Sequence, residues 1–325
     1  MSPSWQQQVA QADQTPETLA STLQLPSRMV VEMMGGDLSF PIRATQSYLS
    51  RIEPGNPDDP LLRQILPTTE EQLILPGFSQ DPVGDQAALQ SEGLLQKYRG
   101  RALLITTPNC AIHCRYCFRR HYPYRENHRS HQYHEPLRWI ASEATLDEVI
   151  LSGGDPLLLS DSRLSDLLER LEAVAPLKTL RIHTRVPVVL PDRVTSRLIQ
   201  RLESSRLNMV MVLHSNHPNE LDHAVEEALN PLRGGKIILL NQSVLLRQVN
   251  DRIDTLEQLS QRLFALGVLP YYLHQLDHVQ GGHHFEVQKE RAIRLIEGLR
   301  ERLPGYLVPR LVEEIEGATS KCPLE

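Results

Sequence analysis

The chain has 325 residues, of which 40% are hydrophobic and 23% charged, with a formal net charge of -6. This composition suits a large globular domain with an appended region, and it gives no electrostatic case for binding nucleic acid or an anionic membrane. Four cysteines, three of them clustered and one distant, do not resemble a disulfide framework. In chain order, the N-terminal MSPSWQQQVAQADQ lacks the basic, apolar and small-residue succession of a signal peptide. No apolar run approaches the roughly 20 residues of a membrane span, so a soluble, cytoplasmic protein is expected. Residues 1–95 read as a helical extension, broken by the turn-rich Pro54, Gly55, Asn56 and Pro57. From residue 101 onward, short apolar runs at 102–106, 148–152, 179–184, 209–214, 236–240 and 268–274 alternate with amphipathic stretches at 164–173, 193–203, 218–230, 256–266 and 287–302. Six strands separated by helices predict an α/β fold of parallel βα units, because parallel neighbours need a long crossover. An open doubly wound sheet would give the same pattern, so periodicity leaves closure into a barrel open.

In barrel-like α/β folds the chemistry gathers at the C-terminal ends of the strands, and the reactive residues obey that rule. A cysteine loop follows the first strand, and Gly153, Gly154 and Asp155 follow the second. His183, Thr184 and Arg185 close the third, His214 the fourth, Asn241 and Gln242 the fifth, and His274 with Asp277 the sixth. The cysteine loop, ITTPNCAIHCRYCFRRHYP, places Cys110, Cys114 and Cys117 as C-x3-C-x2-C. Three thiolates on one loop can hold three irons of a [4Fe–4S] cluster and leave the fourth open to a small molecule. Ordinary ferredoxins use four cysteines at other spacings. The competing readings are structural cysteines, or a zinc ion with His113 as fourth ligand. In Ser152-Gly153-Gly154-Asp155-Pro156, two glycines let backbone approach a ligand closely, or simply make a tight turn. Arg119 and Arg120 follow the last cysteine, and arginine clamps carboxylates bidentately. Asp277 and Glu314 are candidate acidic partners for a cation, although either could be an ordinary salt-bridging residue. Lys321, in Glu316-Gly317-Ala318-Thr319-Ser320-Lys321-Cys322-Pro323, could form a Schiff base with an aldehyde cofactor or be a solvated terminal lysine.

The cysteine spacing, with Tyr116 just before the last cysteine, is similar to the signature of radical S-adenosylmethionine enzymes. Together with GNPDDPLLRQ, QKYRGRALL, CRYCFRRH, SGGDPL, LRIHTRVPVVLP, LLNQSVLLR, GVLPYYLHQLD and GYLVP, it resembles the lysine 2,3-aminomutase family from about residue 56 to residue 324. The resemblance is closest to the branch whose product is placed on elongation factor P. It implies a partial (βα)6 TIM-like radical SAM barrel at residues 96–290. A helical extension at 1–95 would precede it, and a pyridoxal-binding segment at 291–325 would follow. It implies a [4Fe–4S] cluster on Cys110, Cys114 and Cys117, S-adenosylmethionine, and pyridoxal 5'-phosphate on Lys321, with Tyr98 and Arg101 near the pyridoxal phosphate. Ser152, Gly153, Gly154, Asp155, His214 and Gln242 become cofactor-binding candidates. Arg119 matches the clamp on the substrate carboxylate, while Asp277 and Glu314 match two carboxylates that hold the distal ammonium of L-lysine. The implied reaction moves the amino group from Cα to Cβ to give (R)-β-lysine. An electron donor such as flavodoxin or ferredoxin, elongation factor P and its lysyl-transferring ligase are the implied partners.

This chain departs from stand-alone aminomutases in having Glu314 where Asp is usual and Gly-Ala-Thr-Ser in place of a glycine run. Cys322 stands in place of threonine, and no long region follows Lys321. The mode of oligomerisation of those enzymes is therefore not expected to carry over. A 2,3-aminomutase for another amino acid is an alternative, but two acids favour a cationic side chain over glutamate. An iron–sulfur electron-transfer or redox-sensing protein is another, but it gives no reason for SGGDP, Arg119 and Lys321.

Overall fold

In the computed structural model, which describes residues 3–124 and 133–324, β1 (Asp13–Gln14) and β2 (Ile42–Arg43) form a small antiparallel pair. Ten further strands make one sheet whose order in space follows the order in sequence. They are β3 (Leu89–Ser91), β4 (Leu94–Tyr98), β5 (Arg101–Thr107), β6 (Glu148–Gly153), β7 (Thr179–Thr184), β8 (Asn208–His214), β9 (Ile238–Val244), β10 (Leu269–His274), β11 (Arg310–Glu313) and β12 (Cys322–Pro323). Strands β5 to β11 run parallel, with β3 and β4 antiparallel at one end and β12 antiparallel at the other.

The six apolar runs read from the sequence all fall on parallel strands, and β11 adds a seventh. The fifth is displaced, because β9 starts at Ile238 and continues through the polar Asn241, Gln242 and Ser243. The first 95 residues are less uniformly helical than expected. They hold the helices Trp5–Ala10, Pro16–Thr22 and Ser27–Met34, but also β1, β2, β3 and the start of β4. β4 pairs with β5, so the main sheet carries across the expected boundary at residue 95.

The crossover helices bury one stripe each. Helix Asp161–Glu172 is capped by Ser160 and buries Leu164, Leu167, Leu168 and Leu171, the spacing of a single helical face. Helix Lys289–Arg302 does the same with Ala292, Leu295, Ile296 and Leu299. Successive side chains of a strand point to opposite faces, and β7 and β9 use this cleanly. Leu180 and Ile182 of β7 are buried on one face, while Arg181 and His183 on the other line a cavity. Leu239 and Asn241 of β9 are buried, while Gln242 and Val244 line the same cavity.

The extension shares the core of the sheet. Leu19, Met33, Tyr48, Leu61 and Ile65 belong to one apolar cluster with Leu94, Leu104, Val186 and Leu190. Arg51 ties the two parts together by donating to Val188 O at 2.7 Å, Glu220 O at 2.8 Å and Asp222 Oδ2 at 2.9 Å. No helix among the described residues is long and apolar enough to cross a membrane.

Candidate active site

One cavity of about 360 Å³ opens at the C-terminal ends of the parallel strands. Every site residue that the family resemblance implies lines it, whereas Arg120 and Asn241 do not. The cysteine loop contributes Cys110, Cys114, Cys117 and Arg119, and the end of β6 contributes Ser152, Gly153, Gly154 and Asp155. Tyr98 and Arg101 come from the β4–β5 turn, His214 from β8 and Gln242 from β9. Asp277 follows β10, Glu314 follows β11, and Lys321 precedes β12.

The cysteine loop is framed from outside by the extension. Arg43 donates from Nε to Cys110 O at 2.7 Å, the His113 amide donates to Arg43 O at 2.9 Å, and the Arg115 amide to Gln64 O at 2.9 Å. Arg115, completely buried, makes a two-pronged ion pair with buried Glu71 and donates to Phe40 O and Asp37 O. Arg120 shares Glu71 at 3.1 Å and adds Asp37 at 2.9 Å. His113 stacks on Phe40 at 4.8 Å with Nδ1 on Pro41 O at 2.9 Å, so it is engaged with the extension instead of the cysteine sulfurs. Glu71→Gln would leave two buried guanidinium groups short of an anion. It is expected to destabilise the fold by about 3 kcal/mol, measurable as a fall in the urea midpoint with unchanged slope.

The three thiols are free. Burial and then the neighbouring Cys117 sulfur push Cys110 up, and burial and then Cys114 push Cys117 up to about 11. The sulfurs thus share one electrostatic neighbourhood that a positive metal centre would relieve. Among the described residues no three His, Cys, Asp or Glu side chains converge as a single ion requires. An iron–sulfur cluster asks for a different arrangement, since each thiolate takes its own iron. The donor set fits a cluster.

The two glycines are needed for the loop itself. Gly153 has φ +122, and a Cβ on Gly154 would lie 2.2 Å from Asn109 O. The amides of Gly154 and Asp155 donate to Thr107 O and Asn109 O, both at 2.7 Å. The backbone approached closely is that of the cysteine loop, and those two amides are engaged there. The Asp155 carboxylate accepts from Leu157 N, Thr184 Oγ1, Arg185 N and Val186 N, fastening β6 to the end of β7. Burial raises its carboxyl to about 6 against those four donors.

Behind Cys114 lies a buried polar cluster. Arg185 donates from Nη1 to Cys114 Sγ at 2.7 Å and to Tyr116 OH at 2.9 Å, and from Nη2 to Gln64 Oε1 at 2.7 Å and Glu220 Oε2 at 3.0 Å. Although burial opposes it, Arg185 holds the Glu220 carboxyl below its usual range. His214 Nε2 meets Tyr116 OH at 2.8 Å, and burial followed by Arg185 pushes its imidazole down to about 3, leaving it neutral.

Across the cavity runs a chain of alternating charge. Arg119 pairs with Asp85 at 2.7 Å and donates to Ser152 Oγ at 3.1 Å. Asp85 pairs with Lys97 at 2.7 Å, Lys97 with Glu314 at 3.4 Å, and Glu314 with Lys321. Tyr98 donates to Glu314 at 3.0 Å, and Arg101 stacks over the Tyr98 ring at 4.7 Å. Burial raises Glu314, but Lys321 and Lys97 more than reverse this and hold it low. Asp277 has no such direct pair, and desolvation pushes its carboxyl up to about 7 despite Lys321. His183 Nε2 and His274 Nε2 are buried in the cavity wall without a hydrogen-bond partner among the described residues. Orphaned donors or acceptors of this kind are what a bound polar molecule completes. Asp85, Lys97 and Glu220 were not singled out from the sequence, and Arg185 was placed only at a strand end. Each is a single charge whose partner is remote in the chain, so no local pattern marks it.

Residues 104–213 match the radical SAM superfamily. The chain is 48% identical over 287 residues to the L-lysine 2,3-aminomutase of Escherichia coli (strain K12), covering 88% of this chain and 84% of that protein. It is 43% identical over 307 residues to the L-lysine 2,3-aminomutase of Haemophilus influenzae, covering 94% and 91%. Against the L-lysine 2,3-aminomutase of Clostridium subterminale it is 33% identical over 322 residues, covering 98% of this chain and 77% of that protein.

Proposed function

The chain belongs to the lysine 2,3-aminomutase family of radical SAM enzymes, and from that premise we propose that it converts L-lysine to (R)-β-lysine. The observation that carries this reading is a single cavity holding three thiols, Lys321, Arg119, Asp277 and Glu314. Family membership implies a [4Fe–4S] cluster, S-adenosylmethionine and pyridoxal phosphate. When bound, the first two supply radical abstraction of an unactivated hydrogen, and the third supplies an aldehyde that carries the amino group between carbons.

The chain's own residues bind, orient and exclude water. Cys110, Cys114 and Cys117 are the cluster ligands. Lys321 is the covalent anchor of the aldehyde, with Tyr98 and Arg101 beside it. Residues 152–155, His214 and Gln242 form the cavity wall that would hold S-adenosylmethionine. Arg119, fixed by Asp85 and Ser152, presents its guanidinium edge to the substrate carboxylate. Asp277 and Glu314 receive the distal ammonium. Holding both ends of a lysine-length chain fixes which hydrogen is exposed, and orientation of that kind is worth several kcal/mol.

The sheet reads as a partial barrel, since strands β5 to β10 and Glu314 just after β11 contribute to one cavity. Residues 1–95 act as the extension, 96–290 as the barrel and 291–325 as the pyridoxal segment, with β4 shared across the first boundary. We place the enzyme in the cytoplasm, reduced by a flavodoxin- or ferredoxin-like donor. Its β-lysine would pass to the ligase that modifies elongation factor P.

Anaerobically reconstituted protein given L-lysine, S-adenosylmethionine and a reductant should form (R)-β-lysine, resolved from its enantiomer by chiral chromatography. L-Glutamate should give no product, and turnover of glutamate or norleucine comparable to lysine would overturn the substrate assignment.

A pH dependence follows from Asp277. Below about 7 its carboxyl is protonated and attracts an ammonium weakly; above that it is charged. Lysine binding is therefore expected to tighten as pH rises through about 7, with KM falling several-fold from about pH 6 to 8. Asp277→Asn should raise KM and remove the inflection. An inflection that persists in that variant would assign the titration to another group.

A further inference from the structure

We infer that Arg185 is a positioning residue whose hydrogen bond to the Cys114 thiolate raises the potential at which the cluster accepts an electron. This rests on the reading of Cys110, Cys114 and Cys117 as cluster ligands. Both terminal nitrogens of the guanidinium are held, while its Nε has no partner among the described residues. Its Nη1 lies 2.7 Å from Cys114 Sγ, and its Nη2 is held by Gln64 Oε1 at 2.7 Å and Glu220 Oε2 at 3.0 Å. The rings of Tyr48 and Tyr116 lie 5.5 Å and 5.9 Å from its central carbon. Its backbone amide is pinned to Asp155 Oδ2 at 2.7 Å. Three parts of the chain therefore aim one planar donor at one sulfur: the extension through Gln64 and Tyr48, the loop after β8 through Glu220, and the end of β6 through Asp155.

The sulfurs are not equivalent. Cys114 receives this guanidinium, whereas Cys117 receives the backbone amide of Arg119. A cluster on three thiolates gains negative charge on reduction, and a buried cationic donor stabilises that extra charge more than it stabilises the oxidised state. Reduction is the step that starts turnover in an enzyme of this kind, so a donor built into the cluster wall eases it. Glu220 acts in the opposite sense. Its buried carboxylate neutralises part of the Arg185 charge, and it is itself held by Gln64 Nε2 and the amides of Asn216 and His217. Removing the acid's charge while keeping its shape would leave the guanidinium more positive toward the sulfur.

The test is a redox titration of full-length, reconstituted protein without S-adenosylmethionine or substrate, followed by electron paramagnetic resonance, with iron and sulfide measured for each sample. Arg185→Gln and Arg185→Lys are expected to keep the cluster and shift its midpoint potential downward, the glutamine variant more. Glu220→Gln should shift it upward. A full cluster at unchanged potential in Arg185→Gln would overturn the inference, as would a downward shift in Glu220→Gln. Should the Arg185 variants fail to retain a cluster, Glu220→Gln decides alone: an upward shift supports the role, and no shift removes it. A wild-type protein that binds no cluster would defeat the underlying ligand assignment, and this inference with it.

Discussion

Lys321→Ala protein is expected to keep its iron and sulfide and lose lysine turnover by on the order of 10³-fold or more. Lys321 and the cysteine loop face one cavity from opposite ends of the chain, so their losses should separate. Lys321 lies in the short segment between β11 and β12, where its ammonium pairs with Glu314. The cysteine loop reaches that pair only indirectly, through Arg119, Asp85 and Lys97, and the three cysteines take no part in it. Borohydride reduction of cofactor-loaded wild type, followed by peptide mapping, should place the label on Lys321. The discriminating alternative is Lys97, the other lysine in the cavity wall, which is held by Asp85, Glu314 and Val83 O. A label on Lys97 would mean that the anchor had been assigned to the wrong strand.

Alanine at Cys110, Cys114 or Cys117 should abolish a stable cluster, whereas Cys322→Ala should retain it in full. Two thiolates cannot hold the cluster in the arrangement that leaves one iron open, and the loop is too well fixed to recruit a replacement. His113, the nearest alternative donor in sequence, is stacked on Phe40 and bonded to Pro41 O. Cys322 sits in β12 with its sulfur near Ser320 O. Iron and sulfide per chain after anaerobic reconstitution provide the measurement. Full cluster content in Cys114→Ala would end the assignment, and loss in Cys322→Ala would show a fourth ligand.

The parallel strands were legible because they are buried and apolar, and their C-terminal ends carried the chemistry with them. A rule about strand ends, applied to runs of Val, Ile and Leu, is enough to collect Gly153, His214, Gln242 and Asp277 into one cavity. The rule failed where strands are short or polar. β11 has four residues, and β9 runs through Asn241, whose side chain accepts from Ser215 N and donates to Ser215 O. So β11 left no apolar run to read, and only the first half of β9 did, which displaced that reading toward Lys236. The charge chain through Asp85 and Lys97 was equally invisible, because residues 34 apart (Asp85 and Arg119) and 217 apart (Lys97 and Glu314) meet only once the sheet forms. The part played by the extension was illegible for the same reason: Glu71 looks like either of the two acids in TTEEQ until it lies between Arg115 and Arg120.

The framing of the cysteine loop bears on the order in which the protein can be made. Asp37, Phe40, Gln64 and Glu71 leave the ribosome before Arg115 and Arg120, yet Glu71 is completely buried only when those arginines reach it. A carboxylate without a partner is costly to bury, so the burial of residue 71 is tied to a segment more than forty residues later. Once it arrives, the loop is bent to shape by oxygen and nitrogen contacts alone. The shape of the cysteine loop is thus a joint property of a segment made early and one made later.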